Sequence, residues 1–178
     1  MNVLLHPLIV KKIALKDEAA TQAFARALAA SPAAANALIE LRGDLGAGKT
    51  TFARYLLEAL GVTSRIKSPT YAVVESYALT AAEQLRFVGN SGGEEGPPRD
   101  SLSIWHFDFY RFNDPREWEE AGFRDLFASP GLKLVEWAEK AGEYLPPRDL
   151  IVSIDVLPDD TRTVEITALT AVGAELLA

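Results

Sequence analysis

Short apolar runs alternate along the chain with segments in which apolar residues recur at helical spacing. The strand-like runs are bounded by turn residues and lie at 37–41, 71–79, 101–108, 132–136, 150–157 and 162–169. The segments of helical pattern lie at 17–30, at 49–60, from 114 onward and at 171–177. This order predicts an α/β fold, with a mostly parallel central sheet that is flanked by helices and completed by a C-terminal β-hairpin.

The regular pattern stops at about 80–100, where glycine, proline and paired acidic residues replace the apolar positions. Such a composition offers few groups to bury, so we expect an exposed, flexible insertion. The strand pattern resumes at Ser101, so the insertion does not separate two domains. Since 178 residues is about the length of one domain, we expect residues 1–178 to form a single domain.

Composition excludes several classes of function. The chain has no cysteine and two histidines, which excludes a disulfide-linked partner, a thiol nucleophile and a histidine-based zinc site. Its formal net charge of −7 disfavours direct binding of tRNA or duplex DNA, which requires a basic surface. Neither a secretory leader nor an apolar stretch of the ~20 residues that span a bilayer is recognisable. We therefore expect a cytoplasmic protein without a membrane partner.

The strongest chemical signal is the segment 43–50, which matches the pattern G-x-x-x-x-G-K-[ST] of a phosphate-binding loop. Small residues let successive backbone N–H groups converge on phosphate oxygens, at the positive end of the helix that follows. Lys49 would reach the outer phosphates, and the Thr50 hydroxyl would ligate magnesium. The match falls between a predicted strand and a predicted helix, as this mechanism requires, and indicates a P-loop NTPase fold.

Two carboxylates could complete such a site. Asp108 and Glu136 each end a predicted strand, and the distance between them in the chain suits one strand–helix–strand crossover. Parallel strands joined in that way bring both carboxylates to the same edge of the sheet, where they could hold a metal ion or position water. The alternative is that each carboxylate only caps its strand or pairs with Arg111 or Lys133.

Residues 68–71 stand where many phosphate-loop NTPases place a nucleotide-sensing loop. The Thr70 hydroxyl could there reach the γ-phosphate, the metal ion or the attacking water. Spacing alone instead favours a simple turn that leads into the next strand.

Four blocks in this order resemble the bacterial TsaE (YjeE-type) family of tRNA threonylcarbamoyladenosine biosynthesis ATPases: 43–51, 67–71, 106–111 and 135–137. The resemblance runs from about Ile13 to the C-terminus. It implies an ATPase that uses ATP and Mg²⁺ and is required for the threonylcarbamoyl modification of tRNA. It further implies TsaB- and TsaD-like partners, which carry out the transfer itself, so that this chain would meet tRNA only indirectly.

The resemblance also implies roles for individual positions. Thr50 and Glu136 would be the magnesium ligands, and Asp108 would be essential for hydrolysis. The residues expected to act in catalysis are Lys49, Asp108, Glu136 and Thr70. Those expected to bind ATP are Glu18, Gly43, Leu45, Gly46, Ala47, Gly48, Lys49, Thr50, Thr51 and, as a weaker candidate, Arg162. Trp137 stays open between packing in the core and a role at the site.

Two other classes of function stay open. A small-molecule kinase would share the phosphate loop, but such kinases usually add an arginine-rich lid, and the insertion holds only Arg86 and Arg99. A nucleotide-binding switch would bind ATP without hydrolysing it. No arginine stands in the block around Thr70 to stabilise the transferred phosphoryl group, so we expect hydrolysis to be slow without partners.

Overall fold

The computed structural model describes residues 8–80, Glu83 and residues 101–178, so most of the predicted insertion at 80–100 lies outside the described residues. Seven strands run through the described part of the chain. They are β1 (Ile9–Leu15), β2 (Leu38–Arg42), β3 (Val74–Thr80), β4 (Ser101–Asp108), β5 (Leu132–Glu136), β6 (Leu150–Val156) and β7 (Arg162–Ala168). Together they form one sheet in the order β1-β7-β6-β2-β5-β4-β3.

Helices lie between the strands and at the end of the chain. They are α1 (Glu18–Ala30), α2 (Lys49–Leu60), α3 (Arg116–Glu120), α4 (Phe123–Ala128) and α5 (Ala171–Glu175), with 3₁₀ turns at Pro32–Asn36 and Ala138–Tyr144. The predicted cap of α1 is confirmed, because the Asp17 carboxylate accepts a hydrogen bond of 2.8 Å from the backbone N–H of Ala20. None of the helices in the described residues has the length and apolar character that a membrane crossing requires.

The sheet is mixed, which corrects the prediction of a mostly parallel sheet. Strands β6, β2, β5 and β4 pair in parallel at its centre. The pairs β1–β7, β7–β6 and β3–β4 are antiparallel. The short connection between β6 and β7 forces antiparallel pairing, so the predicted hairpin is confirmed. Strand β1 was not predicted, because Lys11 and Lys12 interrupt its apolar pattern.

Buried apolar residues cover both faces of the sheet. One cluster packs α1 and α2 against the sheet, and its members include Ile39, Leu56 and Leu134. The second lies on the opposite face and is rich in aromatic residues, among them Phe107 and Trp118. Side chains alternate along a strand, so the even-numbered residues of β4 face α2 and the odd-numbered ones face the aromatic cluster. This alternation places the end of β4 and the end of β5 beside the start of α2.

Candidate functional site

The candidate site lies at the edge of the sheet where the parallel strands β2, β4 and β5 end. Strand β2 runs into the glycine-rich loop, residues 43–48, and α2 begins at once with Lys49. Asp108 and Glu136 are the last residues of their strands and are direct partners in the β4–β5 register. The prediction that these two carboxylates meet at one edge of the sheet is therefore confirmed.

The path of the loop depends on glycine. Gly43 has φ 142° and Gly48 has φ 107°, both outside the range that side chains readily adopt. A Cβ atom on Gly43 would lie 2.5 Å from the carbonyl oxygen of Ile154 and 2.9 Å from Cβ of Ala47. Because α2 starts directly after Gly48, the N–H groups of its first turn have no acceptor inside the helix and remain as donors beside the loop.

This tight packing gives a stability prediction. Gly43→Ala should lower the melting temperature more than Gly46→Ala, because nothing lies within 4 Å of a Cβ atom placed on Gly46. Gly46→Ala carries only the left-handed backbone penalty of about 1–2 kcal/mol. Gly43→Ala adds an atomic overlap worth at least about 2 kcal/mol, or roughly 4 °C or more in a domain of this size. Circular dichroism recorded during heating measures the melting temperature of each variant. Equal melting temperatures for Gly43→Ala and Gly46→Ala would contradict the prediction.

Lys49 lies inside the curve of the loop, although lysine is rarely buried. Its side chain is 4% exposed. The ammonium group donates hydrogen bonds to the carbonyl oxygens of Gly43, at 2.6 Å, and Asp44, at 2.9 Å. It also lies 4.4 Å from the ring centre of Trp137, which holds the left-handed conformation with φ 57°. The cation is thus fixed at the loop by two carbonyl dipoles and one aromatic face.

Thr50 and Glu136 form the second part of the site. The Thr50 hydroxyl is 3.0 Å from each carboxylate oxygen of Glu136. The imidazole Nε2 of His106 lies 2.9 Å from Oε1 of the same carboxylate. Glu136 and His106 are both buried beneath α2. A buried carboxylate is thus held between a helix hydroxyl and a neighbouring strand.

The oxygen atoms of Thr50 and Glu136 fit a magnesium ion that is also bound by phosphate groups. Magnesium prefers oxygen ligands, and proteins commonly offer it one or two side chains while phosphate and water supply the remainder. Thr50 and Glu136 are such a pair. Among the described residues no group of three or more His, Cys, Asp or Glu side chains could hold a metal ion by itself.

The Asp108 carboxylate organises the segment that contains Thr70. The Thr70 hydroxyl donates to Oδ2 of Asp108 at 2.6 Å, and the N–H of Tyr110 donates to Oδ1 at 2.9 Å. Residues 69–72 form a turn, closed by a 2.6 Å bond from the N–H of Val73 to the carbonyl of Pro69. The segment is a turn, and the turn holds the Thr70 hydroxyl against Asp108. A contact of this hydroxyl with phosphate, a metal ion or water stays a prediction.

The alternative ion pairs considered for the two carboxylates are not observed. The guanidinium of Arg111 lies over the ring of Tyr71, 4.1 Å from its centre. The ammonium of Lys133 donates to the carbonyl of Ser129 and lies near Trp105, toward the opposite end of the sheet. Asp108 and Glu136 therefore keep their hydroxyl, amide and imidazole partners.

A cavity of about 250 Å³ joins the loop to both carboxylates. It is lined by Leu45, Gly46, Gly48, Lys49, Thr50, Thr51, Thr70, Asp108, Tyr110, Glu136 and Trp137. Tyr110 and Trp137 form one wall, with ring centres 5.0 Å apart. Tyr110 was not predicted, and Trp137 was left open; the structure places Trp137 at the cavity. Tyr110 follows Asp108 by two residues, and Trp137 follows Glu136 by one. This proximity to the predicted carboxylates was the only local sequence signal that either ring lies at the site.

The other residues predicted to bind ATP lie around this cavity rather than on its wall. Gly43 and Ala47 belong to the loop backbone, and the Arg162 guanidinium donates from Nε to the Ala47 carbonyl at 2.9 Å. Glu18, at the start of α1, accepts a hydrogen bond from the Tyr55 hydroxyl, which raises the pKa of Tyr55. Tyr55 lies one helical turn beyond Thr51. A contact of Glu18 or Arg162 with ATP stays a prediction.

An ion cluster around a buried carboxylate, with two partly exposed arginines, supports the strand that leads into the loop. The Glu40 carboxylate is 1% exposed and lies 2.5 Å from Nε of Arg42 and 2.5 Å from Nε of Arg148. Arg42 directly precedes Gly43, and Arg148 lies just before β6. The cluster therefore ties the end of β2 to the neighbouring strand connection.

The fold and the site define an α/β protein whose glycine-rich loop faces two strand-end carboxylates and a buried lysine. A family model described as "Threonylcarbamoyl adenosine biosynthesis protein TsaE" matches residues 15–164. The chain belongs to the TsaE family, as the sequence blocks indicated.

Individual relatives agree with this assignment. The chain is 39% identical over 140 residues to the tRNA threonylcarbamoyladenosine biosynthesis protein TsaE of Haemophilus influenzae, covering 79% of this chain and 75% of that protein. It is 36% identical over 149 residues to the protein of the same name from Bacillus subtilis, covering 84% and 80% of the two chains. The crystal structure of Bacillus subtilis YdiB superposes with a TM-score of 0.69 at 28% identity, over 97% of this chain and 94% of that one.

Proposed function

We propose that this chain is a magnesium-dependent P-loop ATPase that acts in tRNA threonylcarbamoyladenosine biosynthesis. The single observation that carries the proposal is the contact of the Thr50 hydroxyl, at 3.0 Å, with each carboxylate oxygen of Glu136. It brings two oxygen ligands for Mg²⁺ next to a glycine-rich loop, at the start of a helix whose N–H groups favour phosphate oxygens. When bound, the Mg²⁺ ion would neutralise charge on the outer phosphates.

The neighbouring residues support hydrolysis of the bound ATP. Lys49 would release its two carbonyl partners and neutralise the outer phosphates, whose oxygens are better partners for an ammonium group. Asp108 would position the attacking water together with the Thr70 hydroxyl, to which it is bonded at 2.6 Å. Tyr110 and Trp137 would exclude bulk water from one side of the cavity.

The charges around the cavity support slow hydrolysis by the isolated chain. Lys49 is the only cation among the described residues that line the cavity. Three described arginines near the loop or the carboxylates already have partners and do not line the cavity: Arg42 pairs with Glu40, Arg111 lies on the Tyr71 ring, and Arg162 bonds to the Ala47 carbonyl of the loop. A supplied arginine can add ~10³–10⁵ in the rate of phosphoryl transfer. We therefore infer that TsaB- and TsaD-like partners complete or order this site.

A partner-stimulation assay tests the proposal. Phosphate release is measured at saturating ATP and Mg²⁺, first with this chain alone and then with a purified TsaB–TsaD pair. We expect slow release by the chain alone and at least about tenfold stimulation by the pair, because the partners add charge or order the turn that carries Thr70. Bovine serum albumin at equal mass is the control for nonspecific stabilisation.

Three outcomes would contradict parts of the proposal. A phosphorylated acceptor in place of free phosphate would identify a kinase. Intact ATP after long incubation with the partners would identify a nucleotide switch. Full activity of the chain alone, unchanged by the pair, would contradict the partner-dependent mechanism while leaving an ATPase.

A further inference from the structure

The carboxylate of Glu136 is hydrogen-bonded to the imidazole of His106, a residue for which the sequence analysis predicted no role. His106 is 0% exposed, and its Nε2 lies 2.9 Å from Oε1 of Glu136. It stands two residues before Asp108 on β4, and strand alternation therefore places both side chains on the face that packs against α2. His106 does not line the site cavity itself, so its connection to the site runs through Glu136.

The second ring nitrogen fixes the direction of this hydrogen bond. Nδ1 of His106 is buried and has no hydrogen-bond partner among the described residues. A buried N–H donor without a partner is more costly than an unused ring acceptor, so the proton belongs on Nε2. His106 then donates from Nε2 to Oε1 of Glu136.

We propose that His106 is a positioning residue that fixes Glu136 in the orientation required for Mg²⁺ binding. With Oε1 bonded to the imidazole, the carboxylate would be held beside the Thr50 hydroxyl in a fixed orientation, and these two side chains would hold the metal ion. Hydrogen-bonded groups behind a metal ligand typically change metal affinity by 10–100-fold when they are removed. This inference rests on the proposed magnesium–nucleotide site and adds to it the residue that holds the carboxylate ligand.

The binding experiment separates metal affinity from nucleotide affinity. Mn²⁺ replaces Mg²⁺ as a paramagnetic probe, and its dissociation constant is measured by electron paramagnetic resonance with a saturating non-hydrolysable ATP analogue. Affinity for the analogue alone is measured in EDTA. We expect His106→Leu to weaken Mn²⁺ binding at least about tenfold, with analogue affinity in EDTA unchanged within about twofold. We expect His106→Gln, whose amide N–H can take the place of Nε2–H, to recover most of the Mn²⁺ affinity.

Leu134→Ala is the matched control. Leu134 is the direct β5 partner of His106 and is equally buried, so its truncation perturbs the same core without removing a donor to Glu136. It should lower the melting temperature and leave Mn²⁺ affinity unchanged. A folded His106→Leu variant with wild-type Mn²⁺ affinity would overturn the inference, and so would equal losses in His106→Leu, His106→Gln and Leu134→Ala.

A measurement on the unmutated side chain keeps the inference testable if His106→Leu does not fold. The chain has two histidines, so nitrogen-15 NMR of the imidazoles gives two sets of signals, and His6→Gln assigns them. We expect a hydrogen bond from Nε2–H of His106 to Glu136, and a neutral ring that carries its proton on Nδ1 instead would overturn the inference. If the wild-type chain bound no Mn²⁺–nucleotide complex at all, the proposed function itself would fail, which is a different result from an unaffected His106 variant.

Discussion

Lys49→Ala is expected to reduce ATP hydrolysis at least about 100-fold and to weaken ATP binding. Lys49 is the only cation among the described residues lining the cavity, and its ammonium group is already fixed at the loop by the carbonyl oxygens of Gly43 and Asp44. Removing one preorganised group that stabilises transition-state charge typically costs ~10²–10³ in rate. The measurements are phosphate release with the TsaB–TsaD pair present and ATP binding by calorimetry.

Lys133→Ala is the matched control, because Lys133 is also a buried lysine but lies on strand β5 and does not line the site cavity. Its ammonium bonds to the Ser129 carbonyl, and burial lowers its pKa. We expect Lys133→Ala to change stability and to leave the hydrolysis rate of the folded protein within about threefold of wild type, since it removes no charge from the phosphates. Wild-type turnover in Lys49→Ala would refute the assignment of the loop.

Glu136→Gln should abolish most of the magnesium dependence of the reaction. The substitution preserves the shape of the side chain but removes the negative charge that would hold Mg²⁺ beside Thr50. We expect hydrolysis at saturating Mg²⁺ to fall at least about 100-fold, since a catalytic metal ion is worth several kcal/mol. Nucleotide affinity in EDTA should stay within about twofold of wild type, because the loop and Lys49 are unchanged. Titrating MgCl₂ in the hydrolysis assay measures the rate at saturating Mg²⁺, and calorimetry measures the nucleotide affinity in EDTA.

The control for Glu136→Gln is Glu40→Gln on the adjacent strand β2. Glu40 is also a buried carboxylate, but its partners are Arg42 and Arg148 rather than Thr50 and His106. Glu40→Gln should destabilise the protein by about 1–3 kcal/mol, because it weakens two charge-assisted hydrogen bonds while the two partly exposed arginines stay solvated. The Mg²⁺ concentration for half-maximal activity should not change in Glu40→Gln. A similar shift of that concentration in both variants would mean that Glu136 acts through stability and not through the metal ion.

Much of the site could be predicted from the sequence, because local rules determine it. Glycine at positions with positive φ, followed directly by Lys49 and Thr50 at a helix start, defines the loop without reference to the remainder of the chain. The chain distance between Asp108 and Glu136 equals one crossover, and parallel pairing then puts both at one edge. The observed register, in which these two residues are direct partners, agrees with that reasoning.

What the sequence could not predict depends on which distant segments become neighbours. The mixed sheet follows from β1 joining β7 and β3 joining β4 at the edges, and nothing in the pattern of β1 or β3 specifies its partner. Likewise, the sequence left residues 68–71 open between a simple turn and a nucleotide-sensing loop, and only the fold brings the Thr70 hydroxyl to Asp108.

The chain by itself therefore determined the loop, the helix that follows it and the carboxylates, whose chemistry and spacing are local properties. Only the tertiary structure decided what surrounds them: the Trp137 ring over Lys49, the Arg162 contact with Ala47, and His106 beneath Glu136. The physical reason is that a hydrogen bond or ring contact between distant residues depends on strand register and helix packing. Those are set by burial across the whole core, to which each local segment contributes only a part.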